Sequence, residues 1–400
     1  MARSDLKSLL VDGSAGTPEG RIVRALSEGG ALSAAQIARL TGLAKSTVST
    51  ALAGLRRSGM VVESHEIANG REASLGRPAT LLTLNPQAGT CVGILVGLEH
   101  IQVIVADVSH AVLFDESIEM EIDYTQDDAI ALVRALVRKA YSSADMSMDT
   151  LLGVGIGVGS PIDPNSGRVM RAGGVNTWAG TDIRTIFEPA LEQAIFADNE
   201  SNCTAIAEMM WGAARGHEDF VLFTVDIGVG GAIVSRGHVM TGAAGGAGEF
   251  GHISLDPHGP LCRCGNRGCV ELYASFREPL QLASRRFGRP ISFDEMIELA
   301  LAGDAGCRRL IEDNAEIAGR ALGIVGSAIN PGLIIVTGRP VRAGSLFIEP
   351  LTRAYEKHTL IKRVDVIEEA RTRIVPGSFI NNGACMGAVG LVLRHHGRLH

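Results

Sequence analysis

The 400-residue chain is 46% hydrophobic and 20% charged, the balance of a globular protein with room for two or three cores. Its opening, MARSDLKSLL, lacks the apolar core of a secretory signal, and its longest apolar run, 91–114, is broken by Glu99, His100, Gln102 and Asp107, which excludes a membrane span. The net charge of −7 speaks against nucleic-acid binding by the whole surface, yet residues 1–85 hold ten Lys/Arg against seven Asp/Glu.

That mildly basic head carries a recognisable pattern. Ile22, Val23 and Leu26 recur at helical spacing and Gly29-Gly30 ends the run. A second helix is expected from Ser33 to about Leu40, a turn at Thr41-Gly42-Leu43, and a third helix from about Lys45 to Arg57. Helix, short glycine-containing turn, helix is the helix-turn-helix order. Val48, Leu52 and Leu55 mark the third helix's buried face. Lys45, Ser46, Thr47, Ser49 and Thr50 place small polar donors at its N-terminal end, where a recognition helix meets bases and phosphates. Met60–Glu63 and Ala79–Leu84 read as the strands of a wing around a polar loop. Arg77, in Leu75-Gly76-Arg77-Pro78, is offered on stiffened backbone to a phosphate or the minor groove.

Asn85-Pro86-Gln87-Ala88-Gly89 punctuates a change of pattern. Beyond it, strand-like runs at 91–96, 101–108 and 112–119 precede a helix near 127–141 and a buried strand at 151–157. Further strands are expected at 220–225, 232–234 and 333–337, with helices at 292–302, 307–329 and 383–394. The alternation implies an α/β architecture.

The most informative stretch is 245–275, GGAGEFGHISLDPHGPLCRCGNRGCVELYAS. It spaces His252, Cys262, Cys264 and Cys269 as H-x9-C-x-C-x4-C, the donor set of a closed structural zinc site. Gly259, Pro260, Gly265 and Gly268 supply the turns. Thiolates arranged for metal rather than for disulfides suit a reducing compartment, so the chain is expected in the cytoplasm. The alternative of four unrelated side chains has to explain three of seven cysteines within eight residues. A zinc hydrolase is disfavoured by the sulfur-rich set, which leaves no evident open position.

GEFGH followed by CxCGxxGCxE resembles the signature of the ROK family, which joins bacterial sugar kinases to sugar-responsive repressors. The winged head, with its Gly76-Arg77-Pro78 and its exit through Leu84-Asn85-Pro86, is similar to the N-terminal domain of the repressors. The resemblance implies a winged helix-turn-helix over 1–85 and a two-lobed, actin-like (ribonuclease H-like) domain over 86–400. The first lobe would be about 86–197 plus a returning helix at 383–400, and the second about 198–382. A sugar would lie in the cleft between lobes against Asn199, Glu200, Glu249, His252 and Glu271, with Asn176 a looser candidate. In the kinases an aspartate, the general base, stands where this chain has Glu200.

Kinases of the family open their catalytic domain with GxDxGGTK. Here the stretch is Gly93-Ile94-Leu95-Val96-Gly97-Leu98-Glu99-His100. Leu95 cannot orient a metal, Leu98 blocks close backbone approach, and Glu99 would repel a phosphate. A second phosphate loop persists as Asp226-Ile227-Gly228-Val229-Gly230-Gly231, and the adenosine-side run is reduced to Thr337-Gly338-Arg339-Pro340. The sequence therefore points to a non-catalytic, sugar-responsive regulator, a repressor of carbohydrate-related genes. It would bind a palindromic operator as a dimer or tetramer, take a sugar or sugar phosphate as effector, and hold one structural Zn²⁺ per chain. The competing reading is a ROK-type sugar kinase with an added DNA-binding domain.

Overall fold

The computed structural model describes residues 16–64, 80–122, 124–143, 146–170, 176–360 and 371–395, with Leu6 and Leu9. Helix α1, Pro18–Gly29, begins three residues earlier than the apolar periodicity alone indicates. The Thr17 hydroxyl accepts from the Gly20 amide, and a first-turn proline brings a helical φ and no unsatisfied N–H. A two-residue strand β1, Leu32–Ser33, leads into α2, Ala34–Thr41. Ser33 and Gln36 form a reciprocal capping box, and Gly42 at φ 65° ends the helix. Helix α3, Lys45–Arg57, buries Val48, Ala51, Leu52 and Leu55, while Ile22, Val23, Leu26 and Ile37 form the rest of the head's helical core. Strands β2, Val61–Glu63, and β3, Leu81–Leu84, pair antiparallel, and β1 adds to the far side of β3 in the order β1-β3-β2. The wing tip, with Arg77, lies outside the described residues.

The chain divides into two compact units: Met1–Gly159, Val175–Cys203 and Ala384–His400 form one, and Ser160–Gly174 with Thr204–Gly383 the other. In the first, β4 (Thr90–Val96), β5 (His100–Asp107) and β6 (Val112–Glu119) form an antiparallel meander. Helix α4, Gln126–Ser143, then crosses to β7, Leu151–Val158, and α5, Ile183–Leu191, to β8, Ile195–Asn199, both strands parallel to β4. The sheet order is β6-β5-β4-β7-β8. Helix α6, Glu200–Trp211, follows β8 directly.

The second unit repeats the scheme. Strands β9 (Phe220–Val225), β10 (Val229–Ser235) and β11 (His238–Val239) form its meander. Helices α7 (Val270–Ala274), α8 (Arg277–Phe287), α9 (Phe293–Leu301) and α10 (Ala305–Ile329) intervene before β12, Leu333–Thr337. Helix α11, Ser345–His358, precedes β13, Arg373–Pro376, and the sheet runs β11-β10-β9-β12-β13. Phe276, Phe293 and Phe347 are buried together at its centre.

The last helix, α12, Gly383–His395, returns to the first sheet. It lies so close that a Cβ on Gly155 would fall 1.9 Å from the Ala388 carbonyl oxygen, and one on Gly387 1.6 Å from that of Cys203. The head joins this unit at the β5–β6 turn, where His110, at φ 78°, donates from Nε2 to the Ser27 carbonyl of α1 at 2.7 Å. Among the described residues, no helix is long and apolar enough to cross a membrane.

Candidate metal centre, effector residues and DNA interface

Phe250 stacks on Phe223 of β9 with ring centroids 6.3 Å apart and fixes the short helical turn Phe250–His252. That turn aims the His252 ring at the cysteine loop. Its Nδ1 lies 3.7 Å from Cys262 Sγ, and Cys264 Sγ lies 3.6 Å from Cys269 Sγ. All four donor atoms fall within 4.8 Å of one another. A tetrahedral ion with metal–sulfur bonds of about 2.3 Å would set its sulfurs about 3.8 Å apart, close to the Cys264–Cys269 separation, so the donor set fits the corners of such a tetrahedron. Antiparallel bridges Ser254↔Cys269 and Leu261↔Arg267 shape the loop, and Gly265 and Gly268 adopt the left-handed φ its turns require.

Burial and mutual contact shift the donors' pKa values in different directions. Burial holds the His252 pKa below its ordinary value, which leaves the imidazole neutral and able to ligate. Burial also pushes the Cys262 thiol up, and burial reinforced by the neighbouring thiols pushes Cys269 up to about 12. Cys264 goes the other way: burial is outweighed by hydrogen bonds from the Asn266 amide and the neighbouring thiols, which hold its pKa below the ordinary value.

Around this cluster stand two of the carboxylates singled out in the sequence. Glu249 places Oε2 3.8 Å from His252 Nε2, on the ring edge turned away from the cysteines. Glu271, in the first turn of α7, is held by Arg263, whose Nε is 3.0 Å from Oε1 and whose Nη2 donates to Oε2 at 3.0 Å. The Val229 amide also donates to Oε2, at 3.4 Å. Arg263 escaped the reading of the sequence although it lies between two of the cysteines. Its only signal was that position.

In the first unit, Asn199 ends β8, and its Oδ1 accepts from the Ser201 and Asn202 amides at 2.8 and 3.4 Å, capping α6. Glu200 opens that helix half-buried, its Oε2 facing Gly159. Asn176 lies in a short helical turn, Asn176–Trp178. The tryptophan beside it is structural: buried Trp178 donates to the Tyr124 hydroxyl at 3.2 Å, and Tyr124 donates to the Gly97 carbonyl at 2.7 Å.

On the head, Lys45, Ser46, Ser49 and Thr50 are exposed along the first turns of α3, and Thr47 is half-buried. Ala44, at the cap position, has no side chain able to satisfy the helix's first amides. Ser46, Thr47, Thr50 and Ala51 line a shallow cavity of about 340 Å³ together with Pro18 and Glu19 of α1.

The ROK family profile matches residues 91–395, and that of the MarR family residues 16–72. The chain belongs to the ROK family. It is 27% identical to a xylose repressor of Bacillus spizizenii over 91% of each chain. It is 26% identical to a glucokinase of Thermotoga maritima, over 59% of this chain and 78% of that one. Among solved structures, an ROK family transcriptional regulator, a homolog of the Escherichia coli Mlc protein, superposes with a TM-score of 0.71 at 23% identity, covering 94% of this chain and 95% of that one. The two-lobed ROK architecture and the winged helix-turn-helix expected from the sequence are therefore both present.

Within the ROK domain, the turn that opens the family's kinase motif is closed on itself. Leu95 is buried in β4, where it pairs with Gly157 of β7 and Gln102 of β5. The Gly97 amide donates to the His100 carbonyl at 3.0 Å, and the Met120 amide to the Glu99 carbonyl at 2.8 Å. The Gly97 amide and the Gly97, Glu99 and His100 carbonyls of this turn are thus engaged by the protein itself. The second phosphate-type turn, Asp226–Gly228 between β9 and β10, is taken up by Arg339.

Proposed function

We propose that this ROK-family protein is a sugar-responsive, DNA-binding transcriptional repressor acting in the cytoplasm. The observation that carries the reading is a winged head with an exposed polar recognition helix, preceding a ROK domain that has a buried Leu95 at the motif position where the kinases carry an aspartate. Lys45, Ser46, Thr47, Ser49 and Thr50 would meet bases and phosphates, and the uncapped amides at the start of α3 suit a phosphate oxygen. Arg77 on the wing would add a backbone or minor-groove contact. One head offers few base contacts, so a homodimer on a two-fold symmetric operator is the working assembly.

The effector would be a sugar whose hydroxyls are read by Asn199, Glu200, Glu249, His252 and Glu271, with Asn176 a looser candidate. Carboxylates and amides select polyols through paired hydrogen bonds. One Zn²⁺ held by His252, Cys262, Cys264 and Cys269 would fix the loop that presents Glu249 and Glu271, and it would serve structure rather than catalysis. With Nδ1 on the metal, His252 keeps Nε2 for Glu249 or a hydroxyl.

The test is operator binding with and without a panel of free and phosphorylated sugars, xylose and glucose included. Specific operator binding at physiological salt that one sugar changes severalfold supports the reading. Equal affinity for operator and random DNA refutes it. Sugar-dependent ADP release at about 1–100 per second would favour the kinase alternative.

A further inference from the structure

Asp226 should be the most available carboxylate of the second phosphate turn, because it opens the Asp226–Gly231 glycine run. Instead both of its oxygens are occupied. The Arg339 amide donates to Oδ2 at 3.0 Å, and its Nε donates to Oδ1 and Oδ2, each at 3.0 Å. Arg339 Nη2 closes the fork on Oδ1. The guanidinium also lies over the ring of buried Phe293, 4.6 Å from its centroid, so one face is covered by an aromatic and the edge by a carboxylate.

The backbone is shaped to deliver it. Gly338 takes φ 101°, and a Cβ there would stand 1.9 Å from the Val225 carbonyl oxygen. The residue after β12 is thereby pressed against the end of β9, which brings Arg339 to the Asp226 turn. Only glycine permits that approach.

The Ile227 amide adds a further hydrogen bond to Oδ1, at 2.8 Å. A carboxylate beside a nucleotide's phosphates is tolerable only where it holds the accompanying Mg²⁺, and that requires an oxygen not already bound. The residues present do not fit such a nucleotide. We infer that Arg339 is a built-in occupant of the second phosphate turn: its guanidinium satisfies Asp226 permanently and excludes nucleotide phosphates from this unit. The chain thereby keeps the turn's packing while dispensing with the ligand that such turns hold.

The inference deepens the non-catalytic reading and rests on it, but the two can fail separately. Binding of Mg·ADP, Mg·ATP and adenosine would be measured by calorimetry on the full-length protein and on Arg339→Gly, Arg339→Ala and Arg339→Lys, each checked for an unchanged melting transition. Wild type should show no saturable Mg·nucleotide binding up to millimolar concentration. Arg339→Gly or Arg339→Ala should bind Mg·ADP about tenfold or more tighter than wild type, the order expected when a competing charge-assisted pair is removed. Arg339→Lys keeps the charge and should stay closed, and adenosine alone should not distinguish the variants. Saturable micromolar Mg·ADP binding by wild type would overturn the occupant, as would folded Gly and Ala variants that bind no tighter than wild type. ATP turnover by wild type would overturn the non-catalytic reading as well.

Discussion

Replacing one thiolate, Cys262→Ser, tests whether the cysteine loop is held by metal. The four donors run from His252 to Cys269, so an ion bound by them closes a loop of eighteen residues. In the chain-entropy treatment of cross-links, a closure of that length is worth about 3 kcal/mol. In a unit of roughly 200 residues, 1 kcal/mol moves the melting temperature by about 2–4 °C, so loss of the clip should lower it by about 6–12 °C. That is an upper figure, because the Leu255–Gly268 and Cys262–Asn266 backbone hydrogen bonds, at 2.8 and 2.7 Å, survive the substitution. The assay pairs metal content by elemental analysis with scanning fluorimetry of wild type, chelator-treated wild type and the variant. Wild type should carry one zinc per chain, the other two should match each other, and chelator should not lower the variant further. A variant that keeps stoichiometric zinc, or a metal-free wild type that melts unchanged, would refute the argument.

Arg77→Ala should weaken binding across operator sequences alike and make the salt dependence shallower by about one counterion, read from titrations at several salt concentrations. Ser46→Ala and Ser49→Ala should instead shift base preference, by about 1–3 kcal/mol at the contacted pair, in a selection over randomised operators. Leu95→Asp alone should not produce sugar phosphorylation above background, since the Gly97 turn and Arg339 remain in place; turnover at kinase rates would contradict this. His110→Ala should loosen α1 by about 1 kcal/mol in amide exchange, and His110→Gly by less, because glycine takes φ 78° without strain. Unchanged exchange in both would mean that the contact does not hold the head.

Much of this could be read in the sequence because the signals were local. Ser33 with Gln36, Gly42, the Asn85–Gly89 break and the cysteine spacing each fall within a few residues of what they determine. Elements without a local signature were missed. Helix α6 has nearly every side chain buried or half-buried, so it shows no polar stripe, and its first residues look like a site motif rather than a helix. Helices α5 and α11 carry Pro189 and Pro350 inside their bounds, and β13 is a four-residue edge strand without alternation. Arg339 read as a lost glycine. Its partner stands 113 residues away, a distance at which no periodicity or spacing reports.

A kinase and a regulator ask different things of one fold. Catalysis requires turns that cradle phosphates, with their amides and carboxylates held ready for the transition state. Regulation requires only that a ligand bind two arrangements of the protein unequally. In this chain the Gly97 carbonyl is engaged from within by Tyr124 and the Asp226 carboxylate by Arg339, contacts that under the proposed function would stiffen each unit rather than await a nucleotide. Stiff units respond to a ligand by changing between discrete packings rather than by yielding gradually, which is the behaviour a switch needs. Couplings of this kind are typically about 1–3 kcal/mol, or roughly 5- to 150-fold in affinity. Under the proposed function the coupling is reciprocal: whatever factor the sugar imposes on operator affinity, operator DNA must impose on sugar affinity. Sugar binding measured with and without operator therefore tests the connection without presupposing its sign, and equal affinities would leave the winged head and the effector site thermodynamically separate.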